Sequence, residues 1–230
     1  MCACGGGGGG NITTAPTVKQ APKPVLIEAY GDSTMEGYTY LNGPGTLATI
    51  SVDNQPAVLQ SSLQAKYGDS VTVSNQGVSG TRAPQLVEGS DTVHLPWTQV
   101  VANSNAQIMI VNYGINDGML RPESLDAYKA ALREIADTAI RGGKIIVFEQ
   151  PNPTCVNGEQ FTGLDAYAEA MEDVAAEKNT PLVKNYEYLL SLPNWQDMLS
   201  DCIHPRGEMY KIEAQRMAAV IGPLVERLQK

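Results

Sequence analysis

The stretch QIMIVNY, residues 107–113, decides the fold. Its centre, Ile108-Met109-Ile110-Val111, is apolar at odd and even positions alike, so a strand here is buried on both faces. The run is short and is followed at once by Gly114, which favours strand over helix. Similar runs occur at 25–30 (VLIEAY), 70–75 (SVTVSN), 144–150 (KIIVFEQ) and, more weakly, 182–185 (LVKN). Between and after them lie segments with helical spacing at 56–67, 92–102, 122–141, 161–178 and 207–228. Gly68 stops the first of these, Pro122 suits the start of the third, and Gly142-Gly143 its end. Residues 38–55 are polar and glycine-rich and carry no predicted element.

Apolar strands alternating with helices of about a dozen residues or more indicate a parallel sheet covered on both faces. The predicted fold is α/β, an open flavodoxin-like three-layer α/β/α sandwich with a five-stranded parallel sheet. In such a sheet ligands gather beyond the carboxyl ends of the strands, so the loops there are where chemistry is expected.

The 230 residues carry 16 Lys and Arg against 25 Asp and Glu, a net charge of −9. Residues 1–24 hold six consecutive glycines, three prolines, two lysines and no acid, the composition of a flexible tether. The domain at 25–230 therefore has 14 Lys and Arg against the same 25 acids, a net −11. That charge repels phosphate backbones and anionic lipid, which argues against a nucleic-acid partner and against membrane adsorption of the domain. No stretch of 18 apolar residues is present to span a bilayer.

Cys2 and Cys4 fall in the tether, Cys155 and Cys202 in the domain. Cys4-Gly-Gly followed by a Gly/Pro leash resembles the mature start of a bacterial lipoprotein, although no basic or apolar signal segment precedes it. That resemblance implies lipidation at Cys4, membrane tethering through that residue alone, and a periplasmic or cell-surface location. In an exported chain Cys155 and Cys202 are candidates for a disulfide.

Four loops sit at the predicted strand ends or before the last helix: Gly31-Asp32-Ser33, the NQGVSG run at 75–80, the GIND run at 114–117, and the DCIHP run at 201–205. A serine hydroxyl needs a base that titrates near neutrality, which favours histidine. Of the two histidines, His204 follows Asp201 by three residues, and a carboxylate there can hold the second ring nitrogen. His94 also follows an aspartate, Asp91, by three. Context separates them: His204 lies in the last loop, whereas His94 falls inside the predicted helix 92–102 with Trp97. His94 is assigned to packing or to the edge of the substrate site. Asn116 can supply a side-chain donor, and Gly80 and Ser33 backbone donors, to a developing oxyanion. Asp32 is expected to hold its turn by bonding neighbouring backbone, Asp117 likewise to brace the Asn116 loop, and Asn75 to orient the second block.

The four blocks, GDSTMEG, NQGVSG, GIND and DCIHP, resemble those of the SGNH hydrolase (GDSL esterase/lipase) family in type and order. The resemblance implies metal-free ester hydrolysis without a cofactor. It makes Ser33 the nucleophile, His204 the base and Asp201 its orienting partner, with Ser33, Gly80 and Asn116 as the oxyanion hole. Arg206 and Met209 stand where that family usually has asparagine and glycine. Cys202 inside the Asp-x-x-His run supports a bridge to Cys155 that pins this loop. G-x-S-x-G is absent, so the α/β-hydrolase elbow is not the scaffold. The Gly43-Pro44-Gly45 run follows no strand and is not read as a dinucleotide site.

The expected function is a serine esterase working through an acyl-enzyme on short to medium acyl or O-acetyl esters, with a small-molecule or carbohydrate ester as partner. The competing readings are a lysophospholipase or thioesterase type of lipolytic enzyme, and a non-catalytic, surface-tethered glycan-binding module.

Overall fold

The computed structural model describes residues 1–5 and 21–230, so most of the tether expected at 1–24 lies outside the described residues. The central strand is β5 (Ile108–Asn112). It is flanked on one side by β1 (Val25–Gly31) and β4 (Val71–Gly77), and on the other by β6 (Ile145–Glu149) and β9 (Leu182–Val183). All pairings are parallel, in the order β4-β1-β5-β6-β9. The register places Gly31 beside both Gly77 and Asn112, so three strands end at one level and their loops emerge from one edge.

The double-sided burial of β5 explains the layers. Ile108 and Ile110 face α2 (Gln55–Tyr67) and α8 (Gly207–Leu228), packing with Leu59, Leu63, Met217 and Ile221. Met109 and Val111 face the other way, toward α3 (Ala83–Glu88), α4 (Trp97–Asn103), α5 (Leu125–Arg141) and α6 (Asp165–Lys178). A third, smaller core gathers Cys155, Leu189, Trp195, Leu199 and Met209 below the loop that carries His204. No helix among the described residues is long and apolar enough to cross a membrane.

Four local expectations change. Residues 38–55 contain an antiparallel hairpin, β2 (Tyr38–Tyr40) with β3 (Ala48–Ile50), whose two runs of three are too short to show a clear period. The helix expected over 92–102 begins only at Trp97. Thr92 is left-handed at φ 70°, and Pro96 disfavours helix at Leu95, so His94 lies in a loop. The helix expected from Pro122 begins at Leu125, because the Ser124 side chain caps it by accepting the Ala127 N–H at 3.2 Å. The strand expected over 182–185 stops at Val183, and Asn185 opens α7 (Asn185–Leu190) instead. The short α3, with Pro84 in its first turn and Gly89 at its end, was not expected. A second small hairpin, β7 (Cys155–Val156) with β8 (Glu159–Gln160), carries Cys155.

Candidate active site

Ser33 is the first residue of the one-turn helix α1 (Ser33–Glu36), directly beyond β1. Asp32 caps that turn: its Oδ1 accepts the Thr34 N–H at 2.9 Å and the Thr34 hydroxyl at 3.0 Å. Only glycine fits at 31, where a Cβ would stand 2.5 Å from the Asn112 carbonyl and 2.6 Å from Met35 Cβ. The tight strand-to-turn junction therefore presents Ser33 at the sheet edge, 8 % exposed.

A histidine reaches Ser33 from 171 residues away. Ser33 Oγ lies 2.9 Å from His204 Nε2, and His204 Nδ1 lies 2.8 Å from Asp201 Oδ2. With Nδ1–H donating to Asp201, Nε2 is free to accept the serine proton. Asp201 Oδ1 accepts the Ile203 and His204 N–H groups at 3.1 and 2.8 Å, which closes the turn on itself. Burial pushes the Asp201 carboxyl up, but the bonds from the His204 ring and backbone outweigh it and hold its pKa below the ordinary range.

The turn is clamped from outside as well. Cys202 forms a disulfide with Cys155, and the Cys155 N–H donates to the Cys202 carbonyl at 2.8 Å. The Asn152 side chain donates to the Ile203 carbonyl at 2.9 Å, and the Ser200 N–H to the His204 carbonyl at 2.7 Å. Arg206 and Met209 find uses here: Arg206 Nε donates to the Leu199 carbonyl at 3.1 Å, and Met209 fills the small core beneath. The Arg82 guanidinium is turned to Glu123 at 3.4 Å.

The other two blocks come to the same edge. Asn116 Nδ2 donates to Asp32 Oδ2 at 3.1 Å and to the Thr81 carbonyl at 3.0 Å. Both amide hydrogens are thus engaged, and contact with an oxyanion requires exchange of one of them. Gly80 is left-handed at φ 76°, a conformation that suits glycine. Among the described residues, neither the Ser33 nor the Gly80 N–H donates to another protein group.

The bracing residues act through backbone bonds. Asp117 accepts the Gly114 and Ala83 N–H groups at 3.0 and 2.9 Å, joining the third block to α3. Asn75 accepts the Gly77 N–H at 2.9 Å and donates to the Glu36 carbonyl at 3.1 Å, tying the second block to α1. Burial raises the pKa of Asp32, against the pull of the Thr34 bonds; burial and the Glu123 carboxyl beside it raise that of Asp117 well above the ordinary range.

Sequence reading gave no role to Glu36 and left the contacts of Tyr38, His94 and Trp97 open. Glu36 accepts from Ser79 through both N–H and hydroxyl and so holds the loop before Gly80; its spacing of three from Ser33 was the available signal. The Tyr38 ring packs on His204 at 4.7 Å between centroids. Asp91 and His94 form a second bonded pair, Nδ1 to Oδ2 at 2.7 Å, so His94 does have a carboxylate partner. Trp97 is fully buried and donates to the Ile135 carbonyl at 3.0 Å, which places it in the core. A cavity of about 560 Å³ opens elsewhere, between α6 and α7, walled by Asp165, Glu169, Glu172 and Glu187. Among the described residues, no three His, Cys, Asp or Glu side chains are grouped to hold a metal ion.

A family model described as "GDSL-like Lipase/Acylhydrolase family" matches residues 29–212. Among solved structures, LAE5, an α/β hydrolase enzyme from the metagenome of Lake Arreo, is 20 % identical, with 88 % of this chain and 97 % of that one covered and a TM-score of 0.66. TesA is 20 % identical over 86 % and 99 % of the two chains, with a TM-score of 0.66. Axe2, an acetylxylan esterase from Geobacillus stearothermophilus, is 22 % identical over 89 % and 97 %, with a TM-score of 0.65. At these identities the likeness is one of fold. No curated protein matches the chain.

Proposed function

The chain belongs to the GDSL-like lipase/acylhydrolase family and is a carboxylic ester hydrolase, and on that premise we propose that it works through Ser33, His204 and Asp201 on short to medium acyl or O-acetyl esters. The observation that carries this reading is the unbroken relay of 2.9 and 2.8 Å from Ser33 through His204 to Asp201. Ser33 attacks the ester carbonyl as His204 takes its proton; Asp201 steadies the imidazolium that results. The Ser33 and Gly80 N–H groups and the Asn116 amide receive the oxyanion, Asn116 releasing Asp32 or the Thr81 carbonyl to do so. His204 then protonates the leaving alcohol, and a water deprotonated by the same ring releases the acid. No step calls on a metal or a cofactor.

A chain-length series of nitrophenyl esters beside acetylated xylan, with Ser33→Ala as the blank, tests the proposal. The expected result is turnover of acetate and butyrate esters that vanishes in Ser33→Ala. Turnover unchanged in that variant overturns the nucleophile. A longer-chain lipolytic reading draws on Leu41, Leu47, Ile50 and Val52, exposed on and beside the hairpin next to His204; preference for octanoate or longer selects it. Failure to label Ser33 with a fluorophosphonate selects a non-catalytic binding module. The Cys155–Cys202 disulfide supports an exported location, with Cys4, an exposed free thiol, as the proposed lipid anchor. Mass spectrometry of the protein from its native membrane fraction tests the anchor, and an unmodified Cys4 overturns it.

A further inference from the structure

His204 has two partners in the proposed reaction, the Ser33 hydroxyl and the oxygen of the departing alcohol. Because the proton taken from Ser33 is delivered to that alcohol, whatever packs on the His204 ring borders the alcohol half of the ester. The acyl carbonyl oxygen is directed instead toward Gly80 and Asn116. Two aromatic rings occupy the position beside the base. Tyr38 lies 4.7 Å from the His204 ring, and Tyr40 stands edge-on to Tyr38 at 5.5 Å and 6.3 Å from His204.

The hairpin bearing these rings is anchored by its backbone. The Tyr210 hydroxyl, buried in α8, donates to the Tyr38 carbonyl at 2.9 Å. The Tyr40 N–H donates to Ser200 Oγ at 3.1 Å, and Ser200 Oγ in turn donates to the His204 carbonyl at 3.1 Å. The tyrosine main chain and the base loop therefore form one preorganised unit, while both rings remain only partly buried. Hydrogen bonding with the neighbouring Tyr40 hydroxyl raises the Tyr38 pKa, so the Tyr38 phenol stays protonated and can donate.

Resting on the proposed esterase reading, we infer that Tyr38 and Tyr40 form the alcohol-side subsite and take the sugar ring of an acylated neutral carbohydrate. An aromatic ledge with two hydroxyls at its rim offers apolar faces to ring C–H groups and polar tips to ring hydroxyls. A plain alkyl alcohol uses only the first of these. The net charge of −9 sets the site against a carboxylated or phosphorylated alcohol.

The test measures kcat and KM on acetylated xylo-oligosaccharide and on ethyl acetate for the wild type, Tyr38→Ala, Tyr40→Ala and Tyr38→Phe, with unfolding curves to confirm that each variant folds. The wild type should favour the sugar ester. That preference, as the ratio of the two kcat/KM values, should fall about tenfold in Tyr38→Ala, chiefly through KM, and less in Tyr38→Phe, which keeps the stack. Deacetylated xylo-oligosaccharide should inhibit the wild type competitively and lose potency by a similar factor in Tyr40→Ala. A preference unchanged within twofold in both alanine variants overturns the subsite, as does a wild type that favours ethyl acetate. Those outcomes, with hydrolysis still abolished by Ser33→Ala, leave the esterase reading standing. Loss of all Ser33-dependent hydrolysis in the wild type removes both.

Discussion

The turns at Asp91–His94 and Asp201–His204 are local copies of each other. In each, one aspartate oxygen accepts the N–H groups two and three residues on, at 3.0 and 2.7 Å from Asp91 and at 3.1 and 2.8 Å from Asp201. The other oxygen holds histidine Nδ1, at 2.7 and 2.8 Å. The residue after the aspartate is left-handed in both, Thr92 at φ 70° and Cys202 at φ 72°. What differs lies on the far side of the ring. His204 Nε2 meets Ser33 Oγ, whereas His94 Nε2 is buried beside Tyr30 with no hydrogen-bond partner among the described residues. An Asp-x-x-His turn orients an imidazole; the tertiary neighbour at Nε2 decides whether that imidazole has a proton to move.

The largest effect should separate the two histidines. His204→Ala should lower kcat/KM on nitrophenyl acetate by at least about 10³-fold, whereas His94→Ala should cost less than about tenfold, measured where both remain folded. Equal losses would break the distinction. The aspartates should divide in the same way. Asp201→Asn should lower kcat by roughly 10²- to 10⁴-fold through the wrong tautomer. Asp91→Asn should leave kcat within about threefold and cost about 2–4 kcal/mol in urea unfolding, because it disrupts a buried, bonded pair.

Only the Asp201 turn carries a cross-link. The double variant Cys155→Ala/Cys202→Ala should lose about 2–4 kcal/mol of stability, with kcat down by about tenfold as His204 drifts from Ser33. Unchanged kcat in a folded variant would show that the hydrogen bonds alone position the base.

The smallest effect is shared. Burial raises the Asp91 carboxyl, but bonds from the His94 backbone and ring leave its pKa lowered, as for Asp201. A depressed folded pKa contributes stability above the unfolded value of about 3.9, and this is lost as pH falls through the folded one. Thermal unfolding followed downward from pH 5 should therefore show a shallower decline in Asp91→Asn than in the wild type. Glu149 provides a control of opposite sign. Burial, opposed by bonds from Gln55 and Asn185, raises its pKa to about 8. Its contribution is present below the unfolded value of about 4.3 and is lost as pH rises from there to about 8, so Glu149→Gln should flatten the decline across that window.

Much of this was legible in the chain because it is local. The double-sided run at 107–113, the stop at Gly68 and the closing helix at 207–228 follow from side-chain periodicity and turn chemistry over a few residues. The bracing roles of Asp32 and Asp117 were readable for the same reason, since each bonds backbone within three residues. His94 was misplaced because helical spacing over 92–102 outweighed the weaker signals of a left-handed Thr92 and the Leu95-Pro96 step. The hairpin at 38–50 was missed because three-residue strands show little period.

By itself the sequence determined the α/β layering, the four strand-end blocks and the family to which they point, because burial pattern and motif order are written along the chain. It also determined the Asp201–His204 turn, which closes within four residues; the matching Asp-x-x-His spacing at Asp91–His94 reads as helix. Only the tertiary structure brings His204 to a serine 171 residues away, joins Cys202 to Cys155, and lays Tyr38 against the histidine ring. Those contacts arise where parallel strands in register bring distant loops to one edge, and no local preference encodes such a meeting.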